Sequence, residues 1–199
     1  PEVIRDPAFY LFLPALMAQP LLFTGFMFHQ VHLVEHKGWD LAAWGGLYIA
    51  YALVSTGCKL VAGLLVDRLG AIRLVPLICL PFGLGLLALA ISDSFLSAVL
   101  FMCLMGVSIG IYSTLSSPFF AEMYGTLHLG SIKSLTTSTM VFATAIAPVA
   151  MGWLIDAGIS MEAMALGSVV YIVLASAAAM LGVRQRLGPD RGQPDPGVL

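Results

Sequence analysis

The chain has 199 residues, 59% of them apolar and only 10% charged, with a formal net charge of −2 and a mean hydropathy of +0.96. Soluble domains carry roughly a quarter charged residues, so this composition describes a membrane protein. The small net charge without a basic stripe excludes nucleic acid as a partner. Cys58, Cys79 and Cys103 each stand inside an apolar run and read as reduced packing thiols, not a disulfide framework.

Crossing the hydrocarbon takes about 20 apolar residues. Six such stretches follow in order, at about 8–33, 41–66, 74–91, 95–121, 134–156 and 161–183. The polar breaks between them are short: EHKGWD, DRLGAIR, SDS, EMYGTLHLGSIK and DAGIS. Pro20, after Gln19, predicts a kink in the first span, because proline removes a backbone donor. Residues 184–199, rich in Pro, Gly and charge, predict a disordered tail. The chain opens on Pro1, and no signal-peptide pattern precedes the first span. Residues 1–7 therefore read as the end of a central loop, and the chain as the downstream piece of something longer.

With six spans both termini share one side. That side carries Arg5, Arg68, Arg73, Lys133, Arg184, Arg186 and Arg191, whereas the other carries only Lys37. The positive-inside bias predicts that both ends of this segment are cytoplasmic. Trp39, Trp44 and Trp153 fall toward the opposite face and predict an interfacial aromatic belt.

Span two contains Gly63-Leu-Leu-Val-Asp67 and span five Gly152-Trp-Leu-Ile-Asp156, with the same separation and similar fill. Because these spans cross in opposite directions, the match predicts a 3+3 inverted repeat, a transporter architecture. The turn after span two, with Gly63, Asp67, Arg68, Gly70 and Arg73, resembles the cytoplasmic signature loop of the major facilitator superfamily. That resemblance implies an all-α membrane protein that is half, by its entry and short tail the second half, of a twelve-helix fold. In the family this loop latches one conformation and is not the substrate site. Ala71 and Ile72 stand where basic residues are commoner, a departure that weakens the latch. The stretches Ala121 to Gly130 and Ala147 to Gly158 resemble monocarboxylate-porter and oxalate–formate-antiporter-like members.

One residue needs a separate account. Lys59 lies eight residues before Asp67, about 12 Å along the helix axis, and so near mid-membrane. An ammonium left in lipid costs about 2.5–3.5 kcal/mol even on the milder scale. Lys59 should therefore face the bundle interior. Tyr48, Tyr51 and Ser55 precede it at helical spacing and predict one polar stripe, and Ser108, Tyr112 and Ser116 predict a second on span four. Gly106 and Gly110 predict close helix packing. Every Asp and Glu lies in a loop, in the tail or at a span end, so no acid in this chain shares Lys59's depth. Its counter-charge must come from a missing N-terminal half or from the substrate.

The carboxylate-porter resemblance implies the second alternative. Such relatives carry an acid, a basic residue four later and Gly four beyond, where this chain has Ser55, Lys59 and Gly63. Lys59 would then partner a substrate carboxylate, without arginine's bidentate fork, and Ser55 cannot shuttle a proton. His29, His32 and His36 fall roughly on one helix face, a spacing shared by metal ligands and by a wet helix end. His29, the deepest, is the candidate for proton coupling.

These readings converge on a secondary transporter with no cofactor and no catalytic residue. It would move a small organic anion, a mono- or dicarboxylate, by alternating access in a plasma membrane, bacterial inner membrane first. Its substrate-binding candidates are Lys59, Ser55, Tyr51, Tyr48, Tyr112 and Ser108, and its partners are the solute, the other six-helix half and the bilayer. Two other readings are a histidine–metal membrane enzyme and a transport-inactive structural half.

Overall fold

The computed structural model describes residues 2–127 and 129–187. All regular structure in them is helical: α1 (Glu2–Arg5), α2 (Pro7–Phe28), α3 (Gln30–His36), α4 (Leu41–Leu69), α5 (Ala71–Leu74), a 3₁₀ turn (Val75–Leu77), α6 (Leu80–Ile91), α7 (Phe95–Tyr124), α8 (Leu129–Asp156) and α9 (Met161–Leu187). Six segments are long and apolar enough to cross a membrane.

The helix starts obey local chemistry. Asp6 caps α2 by accepting from the Ala8 amide at 3.0 Å, and Pro7 follows where its missing N–H costs nothing. Asp40 accepts from Ala43 at 2.7 Å and Ser94 from Leu96 at 3.3 Å, capping α4 and α7. The breaks are more informative. α2 is continuous through Pro14 and Pro20, and the first span breaks at His29. The third span breaks between α5 and α6, around Pro76 and Pro81, each of which removes a donor from the ladder. α8 begins at Leu129, upstream of the apolar run, because a Ser/Thr-rich turn continues the helix. Arg184 to Leu187, expected within the tail, form the last turn of α9; the remainder of the tail lies outside the described residues.

Packing follows an exchange rule. α4 lies along α7 as α8 lies along α2; α6 packs on α7 as α9 packs on α2; α6 and α9 pack on each other. Swapping the first three spans with the last three reproduces this pattern, as an inverted repeat requires. In α2 and in the third span 56% of the most apolar stretch is buried, against 17% in α4 and 11% in α8. α4 and α8 thus flank the central pair α2 and α7 and present an open face.

The core gathers on Phe101 of α7, whose ring lies 6.3 Å from Phe26, 5.8 Å from Phe82 and 6.2 Å from Trp44. Trp44 is buried among these rings, and its Nε1–H donates to Gln30 Oε1 at 2.9 Å. It is a core residue and not part of an interfacial belt, to which the exposed Trp153 remains suited. Glycine permits a close approach here: a Cβ on Gly110 would lie 2.7 Å from Cys58 Cβ and 2.8 Å from the Ser55 carbonyl. The small-residue pair Gly106 and Gly110 therefore lets α7 press on α4.

Candidate functional site

Lys59 projects from the open side of α4. It is exposed in this bundle and makes no side-chain hydrogen bond or ion pair among the described residues. Its backbone is held: the Lys59 carbonyl oxygen lies 3.5 Å from Thr114 Oγ1, and Gly110 brings α7 against its amide. The lysine is thus fixed at its root and free at its head.

The residues expected beside it divide. Tyr51 is half-buried and stacks on Phe23, 6.4 Å between ring centres, tying α4 toward α2. Tyr48 is exposed and donates to Gln30 Oε1 at 2.5 Å, so with Trp44 it clamps the start of α3. Ser55 is buried against α7 and donates to its own helix at Ala52, 3.0 Å away. Tyr112 is half-buried and donates weakly to Met140 Sδ of α8 at 3.7 Å. Ser108 turns elsewhere. Fully buried, it donates to the Ile78 carbonyl at 2.7 Å and accepts from the Phe82 amide at 3.0 Å. Its hydroxyl thereby bridges the break in the third span, with its bonding spent there, so Ser108 and Tyr112 do not form one solute-facing stripe.

At the end that carries the termini, Gly70 takes φ +81°, a conformation that favours glycine, and opens α5. Glu122 of α7 reaches across and accepts from the Ala71 and Ile72 amides at 2.7 and 3.0 Å. The positions where basic residues are commoner thus supply backbone donors to an acid. Asp67, Arg68 and Arg73 are exposed. Gly63 meets nothing within 4 Å of where a Cβ would stand, so no helix of this bundle uses the close approach it permits.

The family model of the Major Facilitator Superfamily matches residues 5–197, almost the whole chain. The chain belongs to the major facilitator superfamily. Membership supports a secondary transporter in general, and its six helices fit half of that fold. No curated protein and no solved structure matches it.

The opposite end of this major facilitator chain holds a cluster that sequence reasoning missed. Lys37, its side chain only 2% exposed, binds Glu162 Oε1 at 2.7 Å and Asp93 Oδ1 at shorter range. His36 Nε2 lies 3.3 Å from Glu162 Oε2, and Trp39 Nε1–H donates to the Asp93 carbonyl at 2.7 Å. Burial alone pushes the Lys37 ammonium's pKa down, but the hydrogen bonds and charges of the two acids outweigh it, and the net shift from 10.5 is upward. A signal was present: Lys37 is the one cation at an end that holds Glu35, Asp40, Asp93, Asp156 and Glu162.

The three histidines do not converge. His32 stacks on His36 at 6.3 Å, whereas His29 turns to α8 with Nε2 2.9 Å from the Pro148 carbonyl. A carbonyl only accepts, so Nε2 carries the hydrogen in that contact. Among the described residues no group of three His, Cys, Asp or Glu could hold a metal ion.

Proposed function

We propose that this chain is the solute-binding half of a transporter for a small organic anion, a mono- or dicarboxylate, and that Lys59 is the anion's counter-charge. The observation that carries this reading is a lysine about 12 Å along the helix from Asp67, on the open face of α4, with no acid beside it among the described residues. A cation at that depth is stable only with a partner. A solute carboxylate fills that role transiently, which is what a carrier requires. The open faces of α4 and α8 suit contact with a second six-helix half, and the two halves would rock about the site between them. The charge bias among the loops supports a cytoplasmic location for both ends of the segment.

The test is transport by the full-length protein in proteoliposomes. Lys59→Gln should lower uptake of labelled carboxylates at least a hundredfold while incorporation and elution profile stay unchanged, and Lys59→Arg should restore part of it. Wild-type uptake by Lys59→Gln would remove the assignment.

A further inference from the structure

The clamp at the start of α3 has an unused half. Gln30 Oε1 accepts twice, from Trp44 Nε1–H at 2.9 Å and from the Tyr48 hydroxyl at 2.5 Å. An indole N–H only donates, so the amide oxygen must face Trp44 and the nitrogen takes the other branch of the planar group. That nitrogen carries two N–H donors, and among the described residues neither has a partner.

The amide is also held in place. Trp44 is buried against Phe101, and the Tyr48 ring lies edge-on to Tyr51 at 6.4 Å, which in turn stacks on Phe23 of α2. Turning the Gln30 amide over would break both bonds to its oxygen and leave two donors unpaired. Its nitrogen is therefore a preset donor, on a half-buried residue beside the exposed Tyr48.

The surroundings give that donor a use. This end of the bundle carries Glu35, Asp40, Asp93, Asp156 and Glu162 against one cation, Lys37, whose head is engaged by Asp93 and Glu162. Trp39 Nε1–H is engaged by the Asp93 carbonyl. An anion arriving here meets repulsion, and Gln30 offers it two unengaged donors. Tyr48 sets the position relative to Lys59. The two residues stand eleven apart, three helical turns to within about 20°, so both exposed side chains leave the same side of α4 about 16.5 Å apart along its axis. Side chains on a helix tilt in one direction, so their heads keep roughly that spacing. A small carboxylate is shorter than this and meets the two groups in succession.

We propose that the Gln30 amide is an entry station for the solute, whose carboxylate accepts from Nε2–H there before moving along α4 to Lys59. This rests on the reading of Lys59 above and adds a binding group ahead of it. A neutral donor suits a station, because its bond to a carboxylate is weaker than an ammonium's and is readily given up.

The experiment uses the full-length protein in proteoliposomes and measures KM for uptake of labelled acetate, lactate, oxalate and succinate, with thermal unfolding in detergent alongside. Gln30→Glu keeps an oxygen for Trp44 and Tyr48 but replaces the two donors with an acceptor. It should raise KM for the best-transported acid at least tenfold and leave unfolding unchanged. Gln30→Leu removes donors and acceptor together, so it should raise KM about tenfold and also lower the unfolding temperature. KM is read on whatever fraction folds, so a lower yield of either variant leaves the result readable. A KM raised by Gln30→Glu alone reports added charge and overturns the donor role, whereas wild-type KM in both variants leaves Gln30 a structural clamp. The two readings separate. Inactive Lys59→Gln with wild-type KM in both Gln30 variants keeps Lys59 and removes the station. Full uptake by Lys59→Gln with KM raised in both Gln30 variants keeps the station and removes Lys59, and no uptake of any acid by the wild type removes both.

Discussion

Two lysines of this chain, Lys37 and Lys59, sit in opposite circumstances. Lys37 at the far end is buried, holds the carboxylates of Asp93, in the turn between α6 and α7, and of Glu162 on α9, and has a raised pKa. Lys59, well inside α4, is exposed on an open face and has no acid partner among the described residues. The difference teaches how to separate a structural cation from a working one in a membrane bundle. A structural lysine is neutralised by its own fold, so its removal is felt as lost stability. A working lysine is left for something outside the fold to neutralise, so its removal is felt as lost binding.

Exchanging the two substitutions between the two assays breaks that comparison most directly. Lys59→Gln should abolish uptake and leave thermal unfolding in detergent unchanged. Lys37→Gln should do the reverse, costing about 2–3 kcal/mol, below the value for a fully buried pair because water reaches Asp93. The Lys37 contribution also has a pH sign. A raised folded pKa means that the stabilisation is complete below 10.5 and is lost as pH climbs through the folded value. Wild-type thermal stability should therefore fall on the alkaline side, and the Lys37→Gln protein should lack that particular decline. If Lys59→Gln unfolds the protein instead, the lysine is structural and the comparison collapses.

A smaller effect is expected at the crossing that fixes the root of Lys59. Gly110→Ala would place a methyl group 2.7 Å from Cys58 Cβ and 2.8 Å from the Ser55 carbonyl, both on a rigid helix. α4 must then move away from α7, at a cost of about 1–3 kcal/mol. Gly63→Ala, in open space within this bundle, is the matched control and should leave unfolding unchanged. Equal effects at the two glycines would show that the α4–α7 contact is not the close one.

How much of this was legible beforehand depends on whether the information was local. The six spans, the inverted repeat and the glycine pair were written in runs and spacings, which a one-dimensional pattern preserves. Lys59's lack of an acid was legible too, because it required only that no Asp or Glu share its depth. Ser108 was misplaced because helical spacing reports a face and not what packs on it; the broken third span claimed its hydroxyl. Trp44 was misplaced similarly, since an aromatic near a span end reads the same whether lipid or Phe101 covers it. Lys37 was visible as a lone cation among acids, but Asp93 and Glu162 reach it only through the fold, 56 and 125 positions along the chain.

The smallest expected effect concerns Glu122, which joins α7 to the start of the third span as Lys37 joins the first span to the start of α9. At one end the latch is a carboxylate on two backbone amides; at the other it is an ammonium between two carboxylates. A charge-assisted bond to helix-start amides is worth about 1 kcal/mol, and the exposure of Glu122 keeps it at that scale. Glu122→Ala should therefore lower stability by about 1 kcal/mol, less than Lys37→Gln. Glu122→Gln should retain part of the loss-free geometry, since its amide oxygen still accepts, and fall between the two. If the cap is also the conformational latch implied by the signature loop, Glu122→Ala should change the rate of uptake without changing KM, because Glu122 binds the helix start and not the solute. A KM shift of about tenfold would instead place Glu122 in the anion's path, and the division between latch and site would fail.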